Sequence, residues 1–351
     1  MHENLFSEES FRSELSNFEF AFNRMAEVID FELFRPVLNS ILVKKAPKSN
    51  AGRKHFDYVQ MFKILVLQDM YNLSDERMEE SILDRRSFCT FLGIYDSADV
   101  PDSRTIWHFK EELGKEGIRK LFDRFSVEIN KAGFSAKKGS MIDASFIESP
   151  RQHFTKSDKE YVNKDEIPPD WSKEKAAQKD LDAKWTKKGD RSYYGYKDHV
   201  VADAKNKIIR DYEVTSAEVH DSRELSGLLP SCKENSNKDV FGDSAFRSEE
   251  IQKKLTSEGL RSRICRRAYR GKPLSEKAKA ANKIKSHTRA RIEHVFGRMK
   301  NFGTDFVRSI GIERASRFIG LSNLVYNMDR IAMLIKRKVS YFTPGLYLKA
   351  V

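Results

Sequence analysis

The spacing of apolar residues changes period near Gly139, and that change divides the chain into two kinds of structure. Before it, apolar residues recur every three or four positions, the period of helices packed on one face. Residues 8–44 carry Phe11, Leu15, Phe18, Phe22 and Met25 at that interval, and a basic linker follows over 45–55. A helix is predicted over Tyr58–Tyr71 and another beyond Ser74, a good N-cap, with Met78 and Ile82 turned inward. A short helical turn covers Ser87–Leu92 and ends at Gly93. Pro101-Asp102-Ser103 opens a helix with Ile106, Phe109 and Leu113 on one face, and a last one runs over 115–132. Residues 1–136 are therefore expected to be all-α, with helices of helix-turn-helix size near 75–113.

After Gly139 the pattern alternates. Strands are predicted over 140–147, 197–203, 207–216, 238–243 and 261–265, with helices over 221–229, 248–255, around Glu293 and over 312–336. That order, βββαβαβα, predicts an α/β domain over 137–340 with a mixed sheet flanked by helices. A polar, Lys- and Asp-rich insertion spans about 151–192, anchored by Trp171 and Trp185; 266–288 reads as a basic loop, and 341–351 as a tail.

Charge is divided along the same boundary. Residues 1–136 hold 19 Lys and Arg against 23 Asp and Glu, a net of −4, whereas the remainder holds 45 against 29, a net of +16. Affinity for a polyanion driven by phosphate contacts should sit mainly in the second part. The densest stretch, 261–291, has 12 Lys and Arg and one acid, Glu276. Cys89, Cys232 and Cys265 are scattered without a CxxC pair, which fits a reducing cytoplasm. The eight histidines lack zinc spacing, no apolar run approaches a membrane span, and no signal-peptide pattern is expected.

Three acidic residues stand in motifs of their own: Asp143 in Met141-Ile-Asp-Ala-Ser145, Asp243 in Val240-Phe-Gly-Asp-Ser244, and Glu293 in Arg289-x3-Glu-x6-Lys300. Taken singly, each aspartate reads equally as a cap at a strand end, and Glu293 as a solvated helix residue pairing with Arg289. Together, on two strands and a helix inside a basic segment, they suggest a site where Mg²⁺ meets phosphate. The carboxylates are then expected to converge on shared metal positions. Lys300 lies two turns beyond Glu293 on nearly the same face, and His294 points off that face. His220-Asp221 reads as a helix cap with a supporting histidine rather than a catalytic dyad.

The stretch from Arg289 to Lys300 resembles the glutamate signature of DDE transposases of bacterial insertion sequences. The block around Asp143 resembles the first-aspartate block of the insertion-sequence-five group, within the wider insertion-sequence-four-like superfamily. Tyr194-Gly-Tyr-Lys-Asp-His199, Val214-Thr-Ser-Ala-Glu-Val-His-Asp-Ser222, and Arg270-Gly-Lys-Pro-Leu-Ser275 with Asn282 are similar to further blocks. So are Asn72-Leu-Ser-Asp75 and Val100-Pro-Asp-Ser103 with Thr105-Ile106. Two positions depart: Ser286 and Phe246 stand where relatives often have tyrosine.

The resemblance implies an RNase H-like core behind a helical DNA-binding region, with Asp143, Asp243 and Glu293 holding two Mg²⁺ or Mn²⁺ ions. It implies that Arg289 and Lys300 hold phosphates of the element ends, aided by the basic residues Arg266, Arg267, Arg270 and Lys272. His220 and Asp221 would support the ligands from behind. Arg104 and Thr105 begin the candidate recognition helix, residues 1–45 are assigned to dimerisation, and Tyr269 either stacks on a base or packs. The implied activity is a transposase that binds terminal inverted repeats in double-stranded DNA, cuts at the element ends and joins the 3′-hydroxyls to target DNA. The rivals are an RNase H-like nuclease that does not join and a domesticated DNA-binding regulator. A homodimer associated with the nucleoid in the cytoplasm, without a membrane, completes the expectation.

Overall fold

A computed structural model describes residues 20–43, 55–164, 166–268, 271 and 273–339. The described residues fall into two compact units. One comprises those up to Ala132 together with those from Leu324 onward; the other is Gly133–Asn323.

The first unit is helical. It contains α1 (Ala21–Val28), a 3-10 turn (Phe31–Phe34), α2 (Arg35–Leu42), α3 (Tyr58–Met70), α4 (Asp75–Asp84), α5 (Arg86–Leu92) and α6 (Ser103–Lys131). Aromatic packing holds it: the Phe34 and Phe62 rings lie 4.7 Å apart and Phe22 and Phe91 5.4 Å apart, all but Phe91 wholly buried. Such offset and edge-on pairs add about 0.5–1.5 kcal/mol each beyond area burial. Ser74 caps α4 by accepting from the Arg77 amide, and α5 ends at Gly93 with φ 71°, both as the sequence implies. The helix α6 breaks at Gly114 (φ 60°, ψ −177°), which separates the two helices read before and after that residue. Phe11, Leu15 and Phe18 lie outside the described residues.

The second unit is built on a six-stranded mixed sheet. Its elements are β1 (Ser140–Glu148), α7 (Lys156–Val162), α8 (Lys173–Ala177), β2 (Lys184–Lys188), β3 (Arg191–Asp203), β4 (Ile209–Ser216), α9 (Asp221–Lys233), β5 (Asp239–Phe241), α10 (Glu249–Ser257), β6 (Arg261–Ser262), α11 (Glu276–Arg289), a 3-10 turn (Ala290–Ile292), α12 (Glu293–Asn301) and the first part of α13 (Ile312–Val339), whose residues from Leu324 belong to the first unit. The strand order is β2-β3-β1-β5-β6, with β4 also on β3; β1, β5 and β6 are parallel, and β3 is antiparallel to β1. On one face Ile142, Val201 and Val240 pack with Leu228 and Leu229 of α9 and Ile251 and Leu255 of α10.

The insertion over 151–192 carries structure of its own: α7, α8 and the edge strand β2 lie in it, and β3 starts at Arg191. The sequence Lys184-Trp-Thr-Lys-Lys188 is too polar to announce a strand, but an edge position tolerates it. Trp171 is buried and donates from Nε1 to Asp158, whereas Trp185 is half exposed. The basic segment 266–288, expected to be a loop, is not all loop, since α11 occupies half of it. That helix buries only Ala278, so apolar periodicity could not reveal it; its capping serine, Ser275, could have.

Gly195 is required by close approach. It sits at φ 146°, where β3 crosses β1, and a Cβ there would collide with the Ile147 carbonyl oxygen. The flanking tyrosines fasten the insertion to β3: Tyr196 donates to the Asp180 carboxylate at 2.8 Å and Tyr194 to the Asp180 carbonyl at 3.3 Å. Among the described residues no helix is long and apolar enough to cross a membrane.

Candidate active site

Strand alternation sets the direction of Asp143. Its neighbour Ile142 enters the apolar core, so Asp143 faces the opposite side of β1. There its Oδ2 accepts from Nη1 of Arg289 at 2.7 Å, while Oδ1 accepts from the Ala144 amide. Arg289 is the last residue of α11. Its Nη2 lies 3.8 Å from Oε1 of Glu293, one 3-10 turn further on. One guanidinium thus stands between two of the three predicted carboxylates. Asp143 and Arg289 are mostly buried; Glu293 is two-thirds exposed.

Asp243 follows the end of β5. The parallel register pairs Met141 with Phe241, and the amide of Cys265 still reaches the Gly242 carbonyl at 3.2 Å. Asp243 lies two residues beyond that last pair, where the strand has given way to a turn. Its carboxylate is turned back to cap the 3-10 turn Ser244–Phe246 through the Ala245 amide. Among the described residues no three His, Cys, Asp or Glu side chains gather closely enough to hold a metal ion. The expected convergence is therefore incomplete: Asp143 faces Arg289, Asp243 faces an amide, and Glu293 faces solvent.

The remaining predicted residues are placed as follows. Lys300 is exposed near the end of α12. Arg266 and Arg267 are exposed beyond β6, and the side chain of Asn282 clamps the main chain of Arg266 with two bonds of 2.9 Å. Arg270, Lys272 and Tyr269 lie outside the described residues. Arg104 is exposed at the start of α6, and the Thr105 amide donates to the capping carboxylate of Asp102. Phe246 belongs to the apolar core, where a hydroxyl would need a partner.

His220 and Asp221 are not behind Asp143. Asp221 is the first residue of α9, and its carboxylate meets Nζ of Lys197 at 2.9 Å. Lys197 pairs across strands with Phe146 and its ammonium covers that ring. Phe146 lies three residues after Asp143, hence on the other face of the sheet. His220 is exposed.

Asp198, on the face of Asp143, is a residue that the sequence motifs did not single out. It pairs across strands with Ser145, a diagonal neighbour of Asp143 at about 7 Å. It is wholly buried, and burial pushes its carboxyl up to about 8; its bond from Nδ2 of Asn323, at 3.2 Å, only partly opposes that. The next residue, His199, is buried against Thr215 Oγ1 at 2.9 Å, and burial brings its imidazole down to about 4. The Asp-His pair in the Tyr194–His199 block was the available signal.

A mixed sheet with β1, β5 and β6 parallel and β3 antiparallel to β1, flanked by helices, is the arrangement of an RNase H-like fold. Residues 135–328 match the family described as Transposase DDE domain, and residues 10–112 match Transposase domain (DUF772). The chain belongs to the DDE transposase family. A solved structure, "Cryo-EM structure of piggyBac transposase synaptic complex with hairpin DNA", is similar in fold. The likeness covers 94% of this chain and 78% of that one, at a TM-score of 0.50 and 12% identity.

Proposed function

We propose that this transposase binds the terminal inverted repeats of its element in double-stranded DNA, cuts at the element ends and joins the 3′-hydroxyls to target DNA. The observation that carries the reading is the shared guanidinium. Arg289 sits on Asp143 and near Glu293, so two of the three carboxylates already face one cation.

The donor set fits Mg²⁺ or Mn²⁺, which take hard oxygen ligands. Asp143, Asp243 and Glu293 would hold two such ions, which when bound activate the attacking oxygen and stabilise the leaving oxygen of an in-line displacement. The protein's own part is positional. The sheet fixes Asp143, the turn after β5 carries Asp243, and α12 presents Glu293 beside Lys300. Lys300, Arg266 and Arg267 are exposed cations placed to meet phosphate oxygens, and Arg270 and Lys272 extend that segment in sequence. The helical unit serves end recognition through the start of α6, with Arg104 and Thr105, and assembly of a homodimer through its N-terminal residues. Asp221 supports the sheet through Lys197 rather than the ligands.

The test is strand transfer with a pre-cleaved element end. Joined product with Mg²⁺ supports the transposase reading. Cutting of intact ends without joining of pre-cleaved ones supports a nuclease, and end binding without either reaction supports a regulator. Inverted repeats flanking the gene, bounded by a short target duplication, give an independent check.

A further inference from the structure

Arg247 and Lys285 are far apart in sequence but meet at one atom. Nη1 of Arg247 lies 3.4 Å and Nζ of Lys285 3.0 Å from the Ile264 carbonyl oxygen, just beyond β6. Among the described residues no carboxylate pairs with Arg247, Lys285 or Arg266. Asp239, on the adjoining strand β5, is taken by Arg261 at 2.8 Å and Arg263 at 3.2 Å. Like charges brought together without a counterion cost free energy in the isolated protein. Burial lowers the pKa of Lys285, and the cations of Arg247, Arg266 and Arg263 lower it further, although Cys265 opposes them. The cluster is held in place nonetheless, by Asn282 on the Arg266 main chain and by Ser286 against Cys265.

Arg247 also opens onto a cleft of about 290 Å³ lined by Ser248, Glu249, Gln252 and Lys253. Nε2 of Gln252 is buried there and has no acceptor. Two cations and an unmatched amide donor outweigh the one acid, Glu249. What this surface lacks is an anion rich in acceptor oxygens.

Its place in the fold relates it to the carboxylates. Lys285 and Arg289 are one turn apart on α11. Arg289 reaches β1 at Asp143, and Lys285 reaches the chain beyond β6. Between them lies β5, which ends two residues before Asp243; Arg247 follows Asp243 by four.

We propose that Arg247 and Lys285 form a binding site for a single phosphate of the DNA backbone, on the β6 flank of Asp243, with Gln252 as an added donor. The proposal rests on the DNA-binding part of the function above. A phosphate seated there relieves the cation repulsion and fixes the duplex relative to Asp243.

The test uses the full chain and double-stranded DNA carrying the element end. Binding is measured across a KCl series for wild type, for the double variant R247Q/K285Q and for the charge-conserving R247K/K285R. In the Gln variant the plot of log K against log salt should be shallower by about one for each phosphate left without its cation. In the Lys/Arg swap the slope should be unchanged. Thermal unfolding checks the fold; should the double variant melt early, the single variants R247Q and K285Q are read instead. Inorganic phosphate at the same ionic strength as chloride should raise the melting temperature of wild type more than that of the Gln variant. A folded Gln variant with the wild-type slope overturns this site, whatever inorganic phosphate does, and leaves the DNA reading intact. A wild type that binds this DNA without salt dependence overturns the DNA reading itself.

Discussion

Arg289 donates to Asp143 at 2.7 Å across 146 positions of sequence, and the same guanidinium lies 3.8 Å from Glu293. The pair is held mostly out of water, so its Coulomb term is less screened than that of a surface ion pair. The guanidinium therefore offsets part of the negative charge of Asp143 and Glu293.

Removing that guanidinium should free the carboxylates for a metal. Arg289→Ala is expected to bind Mn²⁺ or the luminescent probe Tb³⁺ several-fold more tightly than wild type in the absence of DNA, because the competing cation is gone. It should also melt earlier in metal-free buffer, where the mostly buried Asp143 then lacks its cation. Calorimetric titration of both proteins decides the matter, and equal affinities would mean that Arg289 does not compete with the ion.

Each of the three carboxylates should be indispensable to chemistry and dispensable to binding. Asp143→Asn, Asp243→Asn and Glu293→Gln each remove a ligand charge while leaving the basic surface in place. Cleavage and joining with Mg²⁺ should fall by at least about a thousandfold, or roughly 4 kcal/mol of barrier, with end-DNA affinity held within a few-fold. A gel assay of both reactions on one labelled end reads the result; a variant that retains activity removes its residue from the site.

The strands containing Met141, Val200, Val214 and Val240, and the helices between the later ones, were legible from the change of hydrophobic period, but the two helices and the edge strand between β1 and β3 were not. Which way the carboxylates of Asp143, Asp243 and Glu293 turn was not legible either. That Asp243 spends an oxygen on the Ala245 amide, and Asp143 on Arg289, depends on register and on where α11 lies. Nor did apolar periodicity reveal α11, because lysines and alanines leave no apolar stripe when only Ala278 is buried; Ser275 was its one local signal. His220 and Asp221 looked like neighbours of the ligands by motif, but the sheet has two faces and Lys197 draws Asp221 to the other one.

Gly195 should not tolerate a side chain. At φ 146° an alanine is strained, and its Cβ meets the backbone of β1 rather than a side chain that could swing away. Gly195→Ala is expected to cost roughly 2–4 kcal/mol, in the range of backbone strain combined with steric overlap. Urea unfolding measures it. A loss below about 0.5 kcal/mol, the range of an ordinary surface substitution, would contradict the close packing of β1 on β3.

The buried carboxyl of Asp198 makes stability depend on pH in a definite direction. Its folded-state value, near 8, lies above the ordinary carboxylate value of 3.8 because burial disfavours the charge. Below about pH 4 both the folded and unfolded chains carry the proton, and burial costs nothing in ionisation. Between about 4 and 8 the unfolded chain has lost the proton while the folded chain keeps it, so stability falls as pH rises. Asp198→Asn removes the ionisation but keeps a group able to bond with Asn323, which donates to Asp198 at 3.2 Å. The variant should therefore lose less stability than wild type between pH 5 and pH 8, and should be relatively more stable at the upper end. His199, brought down to about 4 by burial, acts in the opposite sense: its penalty grows as pH falls below about 6.5, so the comparison is cleanest above that value. Melting temperatures of both proteins measured from pH 6.5 to 8.5 give the answer. Parallel curves would show that Asp198 is ionised in the folded protein, and that a cation or a solvent path not evident from its surroundings reaches it.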